Sequence, residues 1–227
     1  MDSELILTQD GSHTLFVPDI DECYHSTFGA IGESTLIFIQ SGFNCCEKDK
    51  INVLEVGFGT GLNAFLTLLE AENRNKKVFY MAFELFPLSV EKAEQLNYPE
   101  KVSSEKRFFF EKLHTSIWGE EVPITPFFKL LKINADFIVS SLPSVYDLIY
   151  FDAFSPEKQP EMWSQKIFRK IFDHCNENAI LTTYCVKGVV RRALQNTGFV
   201  VEKLPGPPGK REFLRAVKPS NAEFTEK

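Results

Sequence analysis

Glu55-Val56-Gly57-Phe58-Gly59-Thr60-Gly61-Leu62-Asn63 joins a short β-rich run, Ile51–Val56, to apolar residues at helical spacing, Leu62, Phe65, Leu66 and Leu69. Three glycines at a strand-to-helix junction let the backbone turn tightly and bring main-chain N–H groups close to a ligand. The spacing is G-x-G-x-G, with Leu62 after Gly61, and lacks the third glycine that a dinucleotide fold needs for close helix packing. A carboxylate, Glu55, stands two residues before Gly57, which suits a cationic portion of a ligand better than a pyrophosphate.

Outward from this junction the chain alternates. Val78–Phe83 reads as a second strand closed by Glu84, with Pro87 able to start a helix through Gln95. Phe127–Ile133 reads as a third strand, followed by a short helix from Ala135 to Leu142. Tyr146–Phe151 is a fourth strand ending at Asp152, and Pro160–Cys175 carries a helical apolar stripe. Ala179–Cys185 is a fifth strand, with a helix over Val189–Gln195. Phe199–Leu204 and Phe213–Val217 flank a Pro/Gly turn and read as an antiparallel pair. Phe108–Phe110 is assigned to the core. This order predicts an α/β, Rossmann-like fold: a mostly parallel seven-stranded sheet with an antiparallel C-terminal pair and helices on both faces. Residues 1–50, with turn signals around short apolar runs, are expected to form an N-terminal appendage packing on the site, and 51–227 the main domain.

Composition narrows the classes. The 227 residues suit one domain, and 44% hydrophobic with 25% charged residues excludes general disorder. No apolar run is long enough for a membrane span, and the acidic start Met1-Asp2-Ser3-Glu4 is unlike a signal peptide. Five cysteines without a C-x-x-C pair point to free thiols and a cytoplasmic location. The four histidines show no ligand spacing, so no metal is expected. Net charge is −6, but residues 187–218 hold eight basic and two acidic side chains, a local +6. Within that segment Arg191, Arg192, Lys210 and Arg211 are candidates for phosphate contact.

In parallel sheets the ligand sits beyond the carboxyl ends of the strands. The Gly57–Gly61 loop, Glu84, Asn134 and Asp152 all fall there. Glu84 can accept both hydroxyl protons of a ribose. S-adenosylmethionine therefore fits better than NAD, with its amino acid at Glu55, its ribose at Glu84 and its adenine at the Asn134-Ala135 corner. Gly57, Phe58, Gly59, Thr60, Gly61 and Asn63 complete the expected cofactor cradle.

The glycine stretch resembles motif I of class I methyltransferases. Further blocks are similar to the methyltransferase half of the bifunctional tRNA 5-methylaminomethyl-2-thiouridine biosynthesis proteins. They are Phe83-Glu84-Leu85-Phe86-Pro87-Leu88, Phe151-Asp152-Ala153-Phe154-Ser155-Pro156 continuing to Pro160-Glu161-Met162-Trp163, Val189-Val190-Arg191-Arg192-Ala193-Leu194 with Gly198-Phe199, and Gly209-Lys210-Arg211-Glu212. Weaker likeness covers Tyr24-His25-Ser26 and Gly29-Ala30 through Glu33-Ser34. The resemblance implies methyl transfer from S-adenosylmethionine to the aminomethyl group of a wobble uridine in tRNA. The FAD-dependent half of the bifunctional proteins lies outside these 227 residues, so upstream tRNA-modifying enzymes are expected to supply the aminomethyl group. Asn134 stands where the family often has Asp.

Asp152, ending a strand beside the expected sulfonium, is the candidate catalytic residue, orienting the acceptor amine or taking its proton. Tyr24 and Phe154 are candidates for an aromatic wall on which a base stacks. Trp163 joins that wall or, since it falls on the apolar stripe of its helix, packs in the core. Two alternatives stand beside this reading: a nicotinamide- or flavin-linked oxidoreductase, and a non-catalytic cofactor-binding module.

Overall fold

A computed structural model describes residues 2–220. The chain opens with a three-stranded antiparallel meander, β1 (Glu4–Leu7), β2 (His13–Val17) and β3 (Glu22–Cys23). A short helix, α1 (Ala30–Ser34), follows and widens into a π-helical turn over Thr35–Gln40. The main unit then runs β4 (Lys50–Val56), α2 (Leu62–Arg74), β5 (Lys77–Glu84), α3 (Val90–Ala93), α4 (Tyr98–Val102), α5 (Arg107–Thr115), β6 (Glu121–Pro123) and β7 (Phe128–Asn134). It ends with β8 (Tyr146–Phe151), α6 (Gln165–Asp173), β9 (Cys175–Thr183), α7 (Gly188–Thr197), β10 (Val200–Pro205) and β11 (Glu212–Val217).

The large sheet has eight strands in the order β10-β11-β9-β8-β4-β5-β7-β6. Its five central strands are parallel, β6 and β11 run against them, and β10, paired antiparallel with β11, returns to the direction of the central strands. The eighth strand is β6, a three-residue edge too short to leave a periodic signal. β8 lies between β4 and β9 and is buried along its whole length, the behaviour of a strand covered on both faces.

Successive residues of β4 feed opposite layers. Val53 packs with Phe65 and Leu68 of α2, Phe110 of α5 and Ile37, Phe38 and Phe43 of the N-terminal segment. Leu54 and Val56 pack with Phe168 of α6 and Val190 and Leu194 of α7. Leu15 of β2 and Ala30 of α1 share the first of these layers, so the N-terminal segment is fastened to the main unit by a common core.

Several local expectations shift. No helix starts at Pro87; α3 begins only after Ser89, whose Oγ accepts from Lys92 N–H and caps it. Residues 135–142 form turns, because the Asp136 carboxylate accepts from Ile138 N–H and the Ser140 hydroxyl donates back to Asp136 O. Such side-chain bonds compete with a helical ladder. The 160–175 stripe divides into a 3₁₀ turn (Pro160–Trp163) and α6, with Ser164 capping the second piece. Of Phe108–Phe110 only Phe110 is buried; Phe108 is 65% exposed. No helix among the described residues is long and apolar enough to cross a membrane. All five cysteines are free thiols.

Candidate active site

A cavity of about 610 Å³ opens at the carboxyl ends of β4, β5, β7 and β8. One wall comes from the glycine loop, Glu84, Leu85 and Phe86, and from the turn Ala135–Ile138. The opposite wall comes from Tyr24, His25, Phe28 and Glu33 of the N-terminal segment, with Phe154, Tyr184 and Lys210. Asp152, at the end of β8, lines it as well.

The glycine loop is shaped by what surrounds it. Gly57 has φ of +94°, and a Cβ there would sit 2.6 Å from Asp152 O. Gly59 has φ of +51°, and its Cβ would meet the Tyr24 ring at 2.9 Å. Side chains at these two positions would collide with the cavity walls, so glycine is a steric requirement. Glu84 Oε2 accepts from Gly59 N–H (2.9 Å) and Oε1 from Phe86 N–H (2.9 Å), which ties the end of β5 to the loop. Burial raises the Glu84 carboxyl above its ordinary range, against the lowering effect of these N–H donors.

Thr60 is gripped from two directions. Its hydroxyl is hydrogen-bonded to His25 Nε2 (2.7 Å), and its carbonyl accepts from His114 Nε2 (3.1 Å). Burial lowers both histidines to about 4, so each is a neutral imidazole at pH 7. Phe58 turns under the loop, with its ring against His114 and Trp118.

Asp152 N–H donates to Val56 O (3.0 Å), and Asn63 Nδ2 donates to Asp152 Oδ2 (2.8 Å). Asn63 is thus the group that orients Asp152. Burial pushes the Asp152 carboxyl up to about 7, and the Asn63 donor only partly opposes this. A carboxyl balanced between its two forms near neutrality is suited to exchange a proton with an amine.

Two cofactor expectations are corrected. Glu55 is fully buried and does not line the cavity, and Asn63 and Tyr80 are its polar neighbours. It shares the Val53 face of β4, beneath α2, because alternation along the strand turns it away from the loop mouth. Burial, then Asp152, raises its carboxyl well above the ordinary range. Asn134 also lies outside the cavity wall, and its amide donates to Glu84 O (2.9 Å) and Leu85 O (3.1 Å). The acidic group at this corner is Asp136, two residues further on. Gly61 lies behind the lining as the left-handed start of α2, φ +72°, while Ala135 lines the cavity as expected.

Tyr24 and Phe154 meet edge to face at 5.1 Å and both line the cavity. Trp163 is buried in the core, and its indole N–H donates to Phe154 O (2.8 Å), fixing the loop that carries Phe154. Four of the eight basic residues in the 187–218 segment are paired with carboxylates. Lys187 pairs with Glu157, Lys203 with Glu212, Arg215 with Glu202 and Lys210 with Glu33. Lys210 therefore points inward and offers no free charge for a phosphate. Arg191, Arg192 and Arg211 form no ion pair among the described residues and lie outside the cavity wall.

The family model described as S-adenosyl-L-methionine-dependent methyltransferase matches residues 95–219, more than half of the chain. The chain belongs to the S-adenosyl-L-methionine-dependent methyltransferases. This membership displaces the nicotinamide- or flavin-linked alternative. Within the family, the chain is similar to the tRNA 5-methylaminomethyl-2-thiouridine biosynthesis bifunctional protein MnmC of Actinobacillus pleuropneumoniae, at 28% identity over 96% of this chain and 35% of that protein. It is 31% identical to the MnmC protein of Azoarcus over 94% of this chain and 35% of that one. The chain thus spans about a third of the length of these curated relatives. The crystal structure of MNMC2 from Aquifex aeolicus matches it with a TM-score of 0.80 at 28% identity, over 100% of this chain and 75% of the other.

The residues present fit the methyl donor of this family. The bare glycine backbone, the Glu84 carboxylate at the end of β5 and the Ala135–Ile138 turn offer, in series, a close-approach surface, a diol acceptor and an apolar slot with one carboxylate. The remaining, aromatic-lined wall leaves room for a planar acceptor. Sequence reading assigned no role to His25, Glu33, Asp136 or Tyr184, which line the cavity. Their signals were thin: His25 and Glu33 fall in weakly similar blocks, and Asp136 is a carboxylate just past a strand end.

Proposed function

We propose that this methyltransferase N-methylates the 5-aminomethyl group of the wobble uridine in tRNA, giving 5-methylaminomethyl(-2-thio)uridine. The observation that carries the reading is Asp152: a half-buried, cavity-lining residue whose carboxyl is oriented by Asn63, beside the glycine loop and two residues from Phe154. Likeness to the MnmC proteins and to MNMC2 across nearly the whole chain supports the choice of acceptor.

Bound S-adenosylmethionine supplies an activated methyl group on a sulfonium centre. The protein's task is then to place a neutral amine in line with it. Gly57 and Gly59, bare of side chains, would let the donor lie close against the loop backbone, Glu84 would accept from the ribose hydroxyls, and Asp136 would accept from the adenine amino group. Tyr24 and Phe154 hold the uracil ring by stacking and edge contact. Asp152 accepts a proton from the aminomethyl ammonium and keeps the freed lone pair directed at the donor. A carboxyl near 7 is a better base for this than one at its ordinary value.

Arg191, Arg192 and Arg211 contact tRNA phosphates outside the cavity. The aminomethyl nitrogen is installed by earlier tRNA-modifying enzymes. A cytoplasmic location fits both a tRNA substrate and five free thiols.

The test is direct. The purified protein is incubated with S-adenosylmethionine and tRNA carrying 5-aminomethyluridine, and the nucleosides are read by mass spectrometry. Conversion to 5-methylaminomethyluridine is the expected result. Binding of S-adenosylhomocysteine without any methylation of that tRNA would overturn the reading in favour of a non-catalytic module.

A further inference from the structure

The substrate-side wall contains an ion pair that the methyl-transfer chemistry above does not use. Glu33 of α1 is 5% exposed. Its Oε2 accepts from Ser26 N–H (2.8 Å) and its Oε1 from Lys210 Nζ. Lys210 comes from the turn between β10 and β11, 177 residues away in sequence, and its ammonium lies 4.3 Å from the centre of the Tyr184 ring. Tyr184 in turn donates to Ala153 O (2.9 Å), the residue next to Asp152. The join is reinforced one residue away on the same turn. Gly209 has φ of +81°, and a Cβ there would fall 2.2 Å from the Phe28 ring. At the other end Asp10 accepts from Gly32 N–H (3.1 Å) and anchors the start of α1. The N-terminal segment and the C-terminal turn therefore close on each other over the acceptor side of the cavity, and Glu33 and Lys210 both line it.

We propose that the Glu33–Lys210 ion pair is a positioning element for the methyl acceptor, holding the two segments closed beside Asp152 and balancing the charge that Asp152 and the acceptor amine experience. The proposal deepens the functional reading above and rests on it for the identity of the amine.

The charges facing Asp152 come from several elements. Glu33 raises and Lys210 lowers its carboxyl, after burial and the Asn63 donor from α2. Tyr80 of β5 and Tyr184 beyond β9, raised above the ordinary tyrosine value, are neutral near pH 7, and burial raises the Glu55 carboxyl of β4 well above its ordinary range. Glu22, Glu84, Lys158 and Glu161 line the same cavity, but Glu33 and Lys210 are the charged groups that act on the Asp152 carboxyl, and in opposite directions. Glu33→Gln leaves the Lys210 cation uncompensated, which favours ionised Asp152. Lys210→Met leaves the Glu33 anion uncompensated and disfavours it. The two changes act in opposite directions although both break the same contact, whereas loss of a purely structural tie would act in one.

The experiment measures kcat/KM against pH for wild type, Glu33→Gln, Lys210→Met, the double variant and Lys210→Arg, using tRNA that carries 5-aminomethyluridine. The acidic limb is expected to move to lower pH in Glu33→Gln and to higher pH in Lys210→Met, each by on the order of half a pH unit. The double variant should return close to wild type, and Lys210→Arg should keep the wild-type limb. Carbon-13 NMR titration of the Asp152 carboxyl in the S-adenosylhomocysteine complex follows the same shifts without an acceptor, and affinity for that ligand checks that each variant is folded. Limbs and titration midpoints that move together, or not at all, in the two single variants would overturn the proposal. Failure of the wild type to methylate the tRNA would instead remove the functional reading, while the NMR midpoints still decide the role of the pair.

Discussion

Asn63, on the first turn of α2, donates a 2.8 Å hydrogen bond to Oδ2 of Asp152, at the end of β8. The helix that follows the glycine loop thus also holds the Asp152 carboxyl that lines the cavity. Cofactor loop and candidate base are one mechanical unit, joined further by Asp152 N–H donating to Val56 O.

Replacing Asp152 separates chemistry from binding. We expect Asp152→Asn to lower kcat by about 10²–10⁴-fold, the usual range for a general base, with S-adenosylhomocysteine affinity by calorimetry nearly unchanged. Stability should move the other way. The folded carboxyl binds its proton up to about 7 against an ordinary value of 3.8, so the native state holds more protons than the unfolded chain between these values. Stability therefore falls as pH rises through that window, and the ionised group is a burden above it. Asp152→Asn should raise Tm at pH 8 by about 2–6 °C, and should not do so at pH 4. A lower Tm at pH 8 would contradict this account.

Histidine burial makes the opposite prediction for acid. His25 and His114 are held near 4, below the ordinary 6.5, so the unfolded chain binds more protons between these values. Their contribution is present above about 6.5 and is lost as pH falls toward 4. Thermal melts of His25→Gln and His114→Gln should start from a lower Tm at pH 7 and decline less steeply between pH 6.5 and 4 than wild type.

Glu84 bridges Gly59 and Phe86 through two N–H donors while facing the cavity. Glu84→Ala should weaken S-adenosylhomocysteine binding by about 10–100-fold, from loss of charge-assisted hydrogen bonds worth roughly 1.5–3 kcal/mol. Isothermal calorimetry is the check, and an unchanged Kd would remove Glu84 from the ribose position.

At Gly57 both conformation and space forbid a side chain. Gly57→Ala should destabilise the protein by about 1–3 kcal/mol in urea titration and displace Asp152 enough to depress activity further than the stability loss explains. The strain of a positive φ and a 2.6 Å clash with Asp152 O act together here.

For the proposed tRNA contact, Arg191 and Arg192 are two of the basic side chains without an ion pair among the described residues. An Arg191→Ala/Arg192→Ala double variant should reduce the slope of log K against log salt by about two in a filter-binding titration. Equal slopes would take both residues off the phosphate-facing surface.

Much of the sheet was legible locally. Residues 146–151 formed a strand with the anticipated limits, and α2 ran from the glycine loop to the polar break at residues 73–75. Dense apolar alternation and glycine punctuation act within a few residues, so they survive without tertiary context. The short helix anticipated after β7 did not form, because Asp136 and Ser140 side chains satisfied the backbone instead. Phe108 stayed in solvent although its neighbour Phe110 is buried, since α5 presents only one face to the core.

The amino-acid order alone settled the parallel α/β core, the glycine loop and the presence of Glu84 and Asp152 at strand ends. Those features follow from periodicity and from where a strand stops. Tertiary structure alone decided which acids face the cavity: Glu55 is sealed beneath α2 while Glu33 and Asp136 line the walls. It also turned Lys210 inward onto a carboxylate 177 residues distant. Burial and charge pairing depend on neighbours brought together by the fold, and no local pattern encodes how far such partners are apart.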